Sequence, residues 1–129
     1  MAQPLVPGTL AATTINGSHG TATVAGDIVV GAGFGTTPVL ALTRCNDRRG
    51  LIQVTCDATA AQATATLVYT FSDGAYSAAP APIVNVYSDS AITDSGSVRA
   101  VATTTALTIT LDVLPVDTKI YNFTYLLVE

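Results

Sequence analysis

Leu107-Thr108-Ile109-Thr110-Leu111 alternates aliphatic and threonine side chains at every step. A period of two puts successive side chains on opposite faces, so this stretch is a half-buried strand and cannot be an amphipathic helix. The same pattern recurs along most of the chain. Residues 39–43 and 51–55 read as strands, and Asn46-Asp47-Arg48-Arg49-Gly50 between them supplies the turn formers of a hairpin. Residues 64–71 form the next strand, with Leu67, Tyr69 and Phe71 on one face and Thr66, Val68 and Thr70 on the other. Residues 83–87, 98–102 and 120–128 complete the series, separated by Ser72-Asp73-Gly74, Ser88-Asp89-Ser90, Asp94-Ser95-Gly96-Ser97 and Asp117-Thr118-Lys119. Many short strands with frequent turn signals predict an all-β chain, a small antiparallel β-sandwich of jelly-roll-like type.

The first 26 residues differ. They are rich in Ala, Thr, Gly and Pro, and read as an extended N-terminal arm with one short strand near residues 10–15. Leu5, Val6, Leu10 and Ile15 are apolar anchors that a free tail would not need, so the arm is expected to dock. The expected division is an arm over residues 1–26 and one sandwich domain over 27–129. Residues 58–63 carry the helix propensity of alanine but no apolar stripe, and are read as a loop or a single helical turn. Gly31-Ala32-Gly33-Phe34-Gly35 has no following Gly-Lys-Ser/Thr and opens no helix. It reads as a flexible turn before a strand rather than a phosphate loop.

Composition sharpens the functional question. Charged residues are 11% of the 129-residue chain and hydrophobic residues 49%, with a mean hydropathy of +0.48. An ordinary globular domain is about 25% charged, so part of this surface is expected to be covered by other subunits. The net charge is −4, with cations only at Arg44, Arg48, Arg49, Arg99 and Lys119. That is too little positive charge to follow a phosphate backbone, which argues against nucleic acid. No apolar run approaches the roughly 20 residues of a spanning helix. Met1-Ala2-Gln3-Pro4 opens no basic-then-apolar leader, so no secretory signal is expected. The glycosylation triplets at Asn16 and Asn122 are then chance matches.

The chemistry-bearing residues form no recognisable constellation. His19 is the single histidine, and it lies in the Gly-rich arm, where it reads as a surface or interface residue rather than a metal ligand. Most aspartates adjoin Gly, Ser or Asn, as turn-forming aspartates do, and no aromatic platform marks a carboxylate-pair hydrolase. No catalytic residue, metal site or cofactor is therefore expected. A turn at residues 46–50 sets Cys45 opposite Leu51 and Cys56 opposite Leu40, too far apart for a disulfide, so two free thiols are expected. Arg44, Arg48 and Arg49 gather at the hairpin tip, where a solvated turn is the commoner case and a basic prong toward an acidic partner surface is the functional reading.

From Gly31 onward the chain resembles β-sandwich modules of bacteriophage virions, found in decoration (cement) proteins, head fibres and tail-fibre tips. The resemblance is carried by Gly31-Ala32-Gly33-Phe34-Gly35-Thr36-Thr37-Pro38, residues 46–55, Leu67-Val68-Tyr69-Thr70-Phe71, residues 75–80 and residues 118–125. Cys45 and Cys56 depart from it, standing where the modules usually have Gly or Thr, and the chain lacks a long N-terminal shaft. The resemblance implies a homotrimer with no enzymatic activity. With the shaft missing, it points to a capsid decoration protein on the outer capsid surface of a virion assembled in a host cytoplasm. Its partner would be the major capsid protein, bound with help from the arm. The alternative is a tail-fibre tip or receptor-binding domain, which would expose aromatic side chains such as Tyr76 and Tyr87.

Overall fold

The computed structural model describes residues 19–60, 64–89 and 97–129. Eight strands make up the fold: β1 (Ile28–Val30), β2 (Val39–Thr43), β3 (Arg49–Thr55), β4 (Ala65–Thr70), β5 (Ala81–Ser88), β6 (Val98–Ala102), β7 (Ala106–Leu111) and β8 (Ile120–Val128). They form two four-stranded antiparallel sheets, ordered β1-β4-β7-β6 and β2-β3-β8-β5. The chain is an all-β sandwich. Hairpins join β2 to β3 and β6 to β7, and the remaining connections cross between the sheets.

The alternation read from the sequence is what closes the core. Leu67 and Tyr69 on β4, Leu107, Ile109 and Leu111 on β7, and Ile52 and Val54 on β3 all point inward and are buried. On β8, Tyr121, Phe123, Tyr125 and Leu127 do the same. Each such side chain contributes roughly 1.5–3 kcal/mol by leaving water. Residues 31–35 do more than turn. Gly31 N–H donates to Thr66 O at 2.8 Å, a short 3-10 turn follows at Ala32–Phe34, and Phe34 is driven into the core edge-on to Tyr121 and Phe123.

The hairpin register differs from the expected one by two residues. Thr43 faces Leu51 and Leu40 faces Val54, while Asn46 N–H donates to Arg49 O at 2.9 Å across the turn. Arg44 and Cys45 therefore stand opposite Gly50 alone, a β-bulge. Arg44, the first bulge residue, takes the left-handed conformation, φ 52°, that marks the G1 type, where glycine is the usual occupant. Cys45 fills the space where a Gly50 side chain would be: an added Cβ would lie 2.6 Å from the Cys45 Cα. A sequence reading that counted residues evenly around the turn could not anticipate this extra residue. Both cysteines are buried free thiols. They lie at opposite ends of β3, about 20 Å apart at 3.3 Å per residue.

The segment 19–26, on the arm's side of the expected boundary, lies against the sandwich. Ala22 bridges Asn46, Thr23 N–H donates to Cys45 O at 2.9 Å, and a 3-10 turn at Ala25–Asp27 leads into β1. Leu5, Val6, Leu10, Ile15 and the short strand expected at residues 10–15 lie outside the described residues, as does part of the loop read at 58–63.

Candidate functional site

The densest polar cluster sits at the end of the sandwich that carries the β2–β3 turn. Asn46 Oδ1 accepts from both Arg48 N and Arg49 N, at 2.9 and 3.0 Å. This local turn directs Asp47 inward, where it is wholly buried. One Asp47 carboxylate oxygen accepts from the Tyr69 hydroxyl and from Ser72 N at 2.7 Å. The other accepts from Asp73 N at 2.8 Å and meets His19 Nδ1 at 3.2 Å. The Asp47 carbonyl accepts from the Tyr76 hydroxyl at 2.5 Å. A buried charge is tolerated only when its lone pairs are filled in this way.

Around that carboxylate the aromatic rings interlock. His19 stacks on Tyr76 with ring centroids 3.7 Å apart and planes within 4°. Tyr76 meets Phe71 edge-on, as Tyr69 does. The Tyr69 hydroxyl, whose own proton goes to Asp47, accepts from Thr23 Oγ1 at 2.7 Å. Asp73 then accepts from Thr21 N at 2.8 Å. The cluster joins four chain segments: the arm at 19–23, the β2–β3 turn, β4 and the loop that follows it. Burial raises the Tyr69 hydroxyl far above its ordinary value, with the Asp47 carboxylate adding to the effect. Burial and then the Asp47 charge push Tyr76 up to about 12. The protonated Tyr69 hydroxyl donates to the Asp47 carboxylate and the Tyr76 hydroxyl to the Asp47 carbonyl, and together they make a structural staple across the turn.

His19, read as a surface or interface residue, is instead buried at 7% exposure. Tyr76, which the receptor-binding alternative would display, is 3% exposed. Among the described residues, only Tyr87, on β5, shows an aromatic ring to solvent. Neither burial was visible in the sequence, because both follow from Asp47, twenty-eight and twenty-nine residues away in the chain.

A second carboxylate acts at the opposite end. Asp57 accepts from Thr37 N at 2.6 Å, from Thr59 N at 2.7 Å and from three threonine hydroxyls. Those bonds, first the Thr59 hydroxyl and then the Thr37 amide, hold it well below the usual carboxylate range. Gly35, at φ 110°, makes room for it. Asp57, between Cys56 and Ala58, lacks the Gly, Ser or Asn neighbour that marks most of the aspartates, yet it closes its own turn through Thr59 and ties it to the loop at Thr36 and Thr37.

The three arginines of the tip do not act together. Arg44 is exposed on the bulge, Arg49 is exposed at the start of β3, and Arg48 is half-buried and pairs with Glu129 at 3.2 Å. Arg48, Arg49, Gly20 and the end of β8 border an open groove of about 740 Å³. Among the described residues no group of three or more His, Cys, Asp or Glu could hold a metal ion, and no helix is long and apolar enough to cross a membrane.

The outer sheet faces are the other notable surface. Along the strands of the β2-β3-β8-β5 sheet, the outward side chains are Val, Ala, Thr, Leu, Gln, Asn, Ile and Tyr, and Arg49 is the one charge. Val39, Ile83, Leu126 and Val128 on this face are 45–64% exposed. The opposite face presents Val29, Val68, Val101 and threonines, with Arg99 the one charge, bound to Asp112 at 2.7 Å. No protein-family model matches the chain, and no curated protein and no solved structure matches it either.

Proposed function

We propose that the protein is a non-enzymatic structural protein of a virion, a decoration or cement protein that sits as a homotrimer on the outer surface of a capsid and stabilises the shell. The observation that carries this reading is the pair of outer sheet faces, each with a single charged side chain among valines, leucines and threonines. A freely soluble sandwich commonly intersperses Lys and Glu on such faces. A sandwich covered by copies of itself or by a shell does not need them, and gains about 25 cal/mol for each Å² of apolar area buried, less the cost of association. The polar clusters reinforce the reading, since the buried carboxylate is saturated by structural donors. The burial of Tyr76 weighs against a receptor-binding tip, which would display its aromatic rings.

Light scattering of the purified chain tests the assembly part. A mass three times the 13.1 kDa subunit is expected, and a monodisperse monomer would overturn it. Capsids prepared with and without the protein test the role. Decorated shells should survive heating that breaks bare ones, and equal survival with no binding would remove the capsid reading.

A further inference from the structure

A sandwich of two open sheets has four edge strands, and in this protein three of them are protected. β1 has three residues. β5 carries Pro82, which has no N–H to offer. β6 carries Arg99 and lies against β5. Short length, proline, charge and cover are the usual means of keeping an edge from pairing with other chains. β2 has none of the first three: Val-Leu-Ala-Leu-Thr, five residues without charge or proline.

The direction of its free hydrogen-bonding groups follows from the ladder. Cys56 N–H donates to Lys119 O, and Leu127 N–H donates to Arg48 O. The even-numbered residues of β3 therefore bond to β8 and the odd-numbered ones to β2, because bonding alternates along an antiparallel strand. Thr55, Gln53 and Leu51 face Val39, Ala41 and Thr43. The backbone groups of Leu40 and Leu42 thus point to the open side, where no described residue bonds to them. The turn Ala25–Asp27 stands beside β2 but closes its bond internally, from Asp27 N to Val24 O.

The described part of the chain's own arm, residues 19–26, approaches this edge and leaves it. Its antiparallel bridge pairs Ala22 with Asn46, beyond the end of β2. Toward the N-terminus from Ala22, that polarity runs past the hairpin tip, away from Leu42 and Leu40. Toward the C-terminus, the chain crosses to the other sheet at β1. The 18 residues preceding His19 contain no Asp, Glu, Lys or Arg, so ion pairing cannot hold them. Extended, the nine residues from Leu10 to Ser18 reach about 30 Å at roughly 3.3 Å per residue, enough to meet a neighbouring subunit. Within them Leu10-Ala11-Ala12-Thr13-Thr14-Ile15 is the uncharged, proline-free stretch that matches the open edge in length and polarity.

We infer that residues 10–15 of a second copy of this chain add to the open edge of β2 as a strand, bonding to the backbone of Leu40 and Leu42. Backbone pairing of this kind supplies affinity, and the side chains flanking it supply register. The inference rests on the assembly reading above and specifies its contact.

Residue-resolved amide exchange tests it in the full-length protein. The Leu40 and Leu42 amides should exchange at least about tenfold more slowly in the wild type than in the variant Ala12→Pro/Thr13→Pro, which loses a donor in either pairing phase. Isotope-labelled variant co-refolded with unlabelled wild type should recover the protection, because the arm comes from the neighbour. Equal exchange in wild type and variant would overturn the inference. So would protection that the labelled variant fails to recover, since the arm would then fold onto its own subunit. Light scattering of the same samples separates the two readings: a trimer with unprotected Leu40 and Leu42 sinks the strand exchange alone, and a monomer sinks both.

Discussion

Replacing Asp47 by alanine should cost the fold about 3–5 kcal/mol. The figure follows from what the carboxylate holds. Two of its donors, the Tyr69 hydroxyl and the His19 ring, are buried, and a hydrogen bond to a charged acceptor contributes roughly 1.5–3 kcal/mol. The Ser72 and Asp73 amides are only part-buried, so water recovers most of what they lose. A domain of this size has about 5–15 kcal/mol of stability in all, so the loss is a large fraction of it. With an unfolding entropy of about 2.1 cal/mol/K per residue, Tm should fall by about 11–18 °C. The chain has no tryptophan, so far-UV circular dichroism and tyrosine fluorescence in urea are the suitable probes. A double-mutant cycle with Tyr69→Phe should give a coupling of about 1.5–3 kcal/mol, because the two changes remove one shared bond. If Asp47→Ala costs less than about 1 kcal/mol, or if the two changes add within about 0.5 kcal/mol, the buried carboxylate is not the staple described here.

Gly50→Ala should destabilise by about 1–3 kcal/mol in the same urea titration, since its Cβ would lie 2.5 Å from Cys45 Sγ and 2.6 Å from Cys45 Cα, and the backbone atom cannot swing aside as a side chain can. Stability should fall as the pH rises from about 9 toward 12: burial pushes Cys56 up to about 11 and Tyr76 up to about 12, and raises Tyr69 and Tyr125 further. These groups hold protons in the folded state that the unfolded chain releases first, so their contribution is complete below the unfolded values and disappears through the folded ones; a flat Tm between pH 8 and 11 would contradict it. At the acid end the sign reverses. Asp57, held low by the Thr59 and Thr37 bonds, and Asp112, held low by Ser97 and then Arg99, stabilise above about pH 4 and lose that effect as pH drops below it. Arg48→Ala should change stability by less than about 1 kcal/mol, because its ion pair with Glu129 is solvent-exposed.

What was legible in the sequence was whatever depends on neighbours along the chain. The alternation in 107–111 and 120–128 placed β7 and β8, and the turn residues placed the hairpin, because side-chain direction in a strand is fixed by counting. β1 went unread: Ile28-Val29-Val30 is an apolar run too short to show a period, and it becomes a strand only because Val68 and its neighbours on β4 offer a ladder. The bulge at Arg44 and Cys45 was hidden for a related reason. Nothing in the local string says that Asn46 will bond to Arg49 and leave two residues facing one. Asp47 is the sharpest case. Between Asn46 and Arg48 it has the setting of a solvated turn aspartate, and local chemistry assigns it that role. Its burial is decided by Tyr69, Ser72, Asp73 and His19, none of which is a sequence neighbour. The same logic explains why the proposed docking edge was only half visible. An uncharged sheet face can be inferred from composition, but which edge is left open depends on hydrogen-bond phase, and phase is a property of the paired strands rather than of either one.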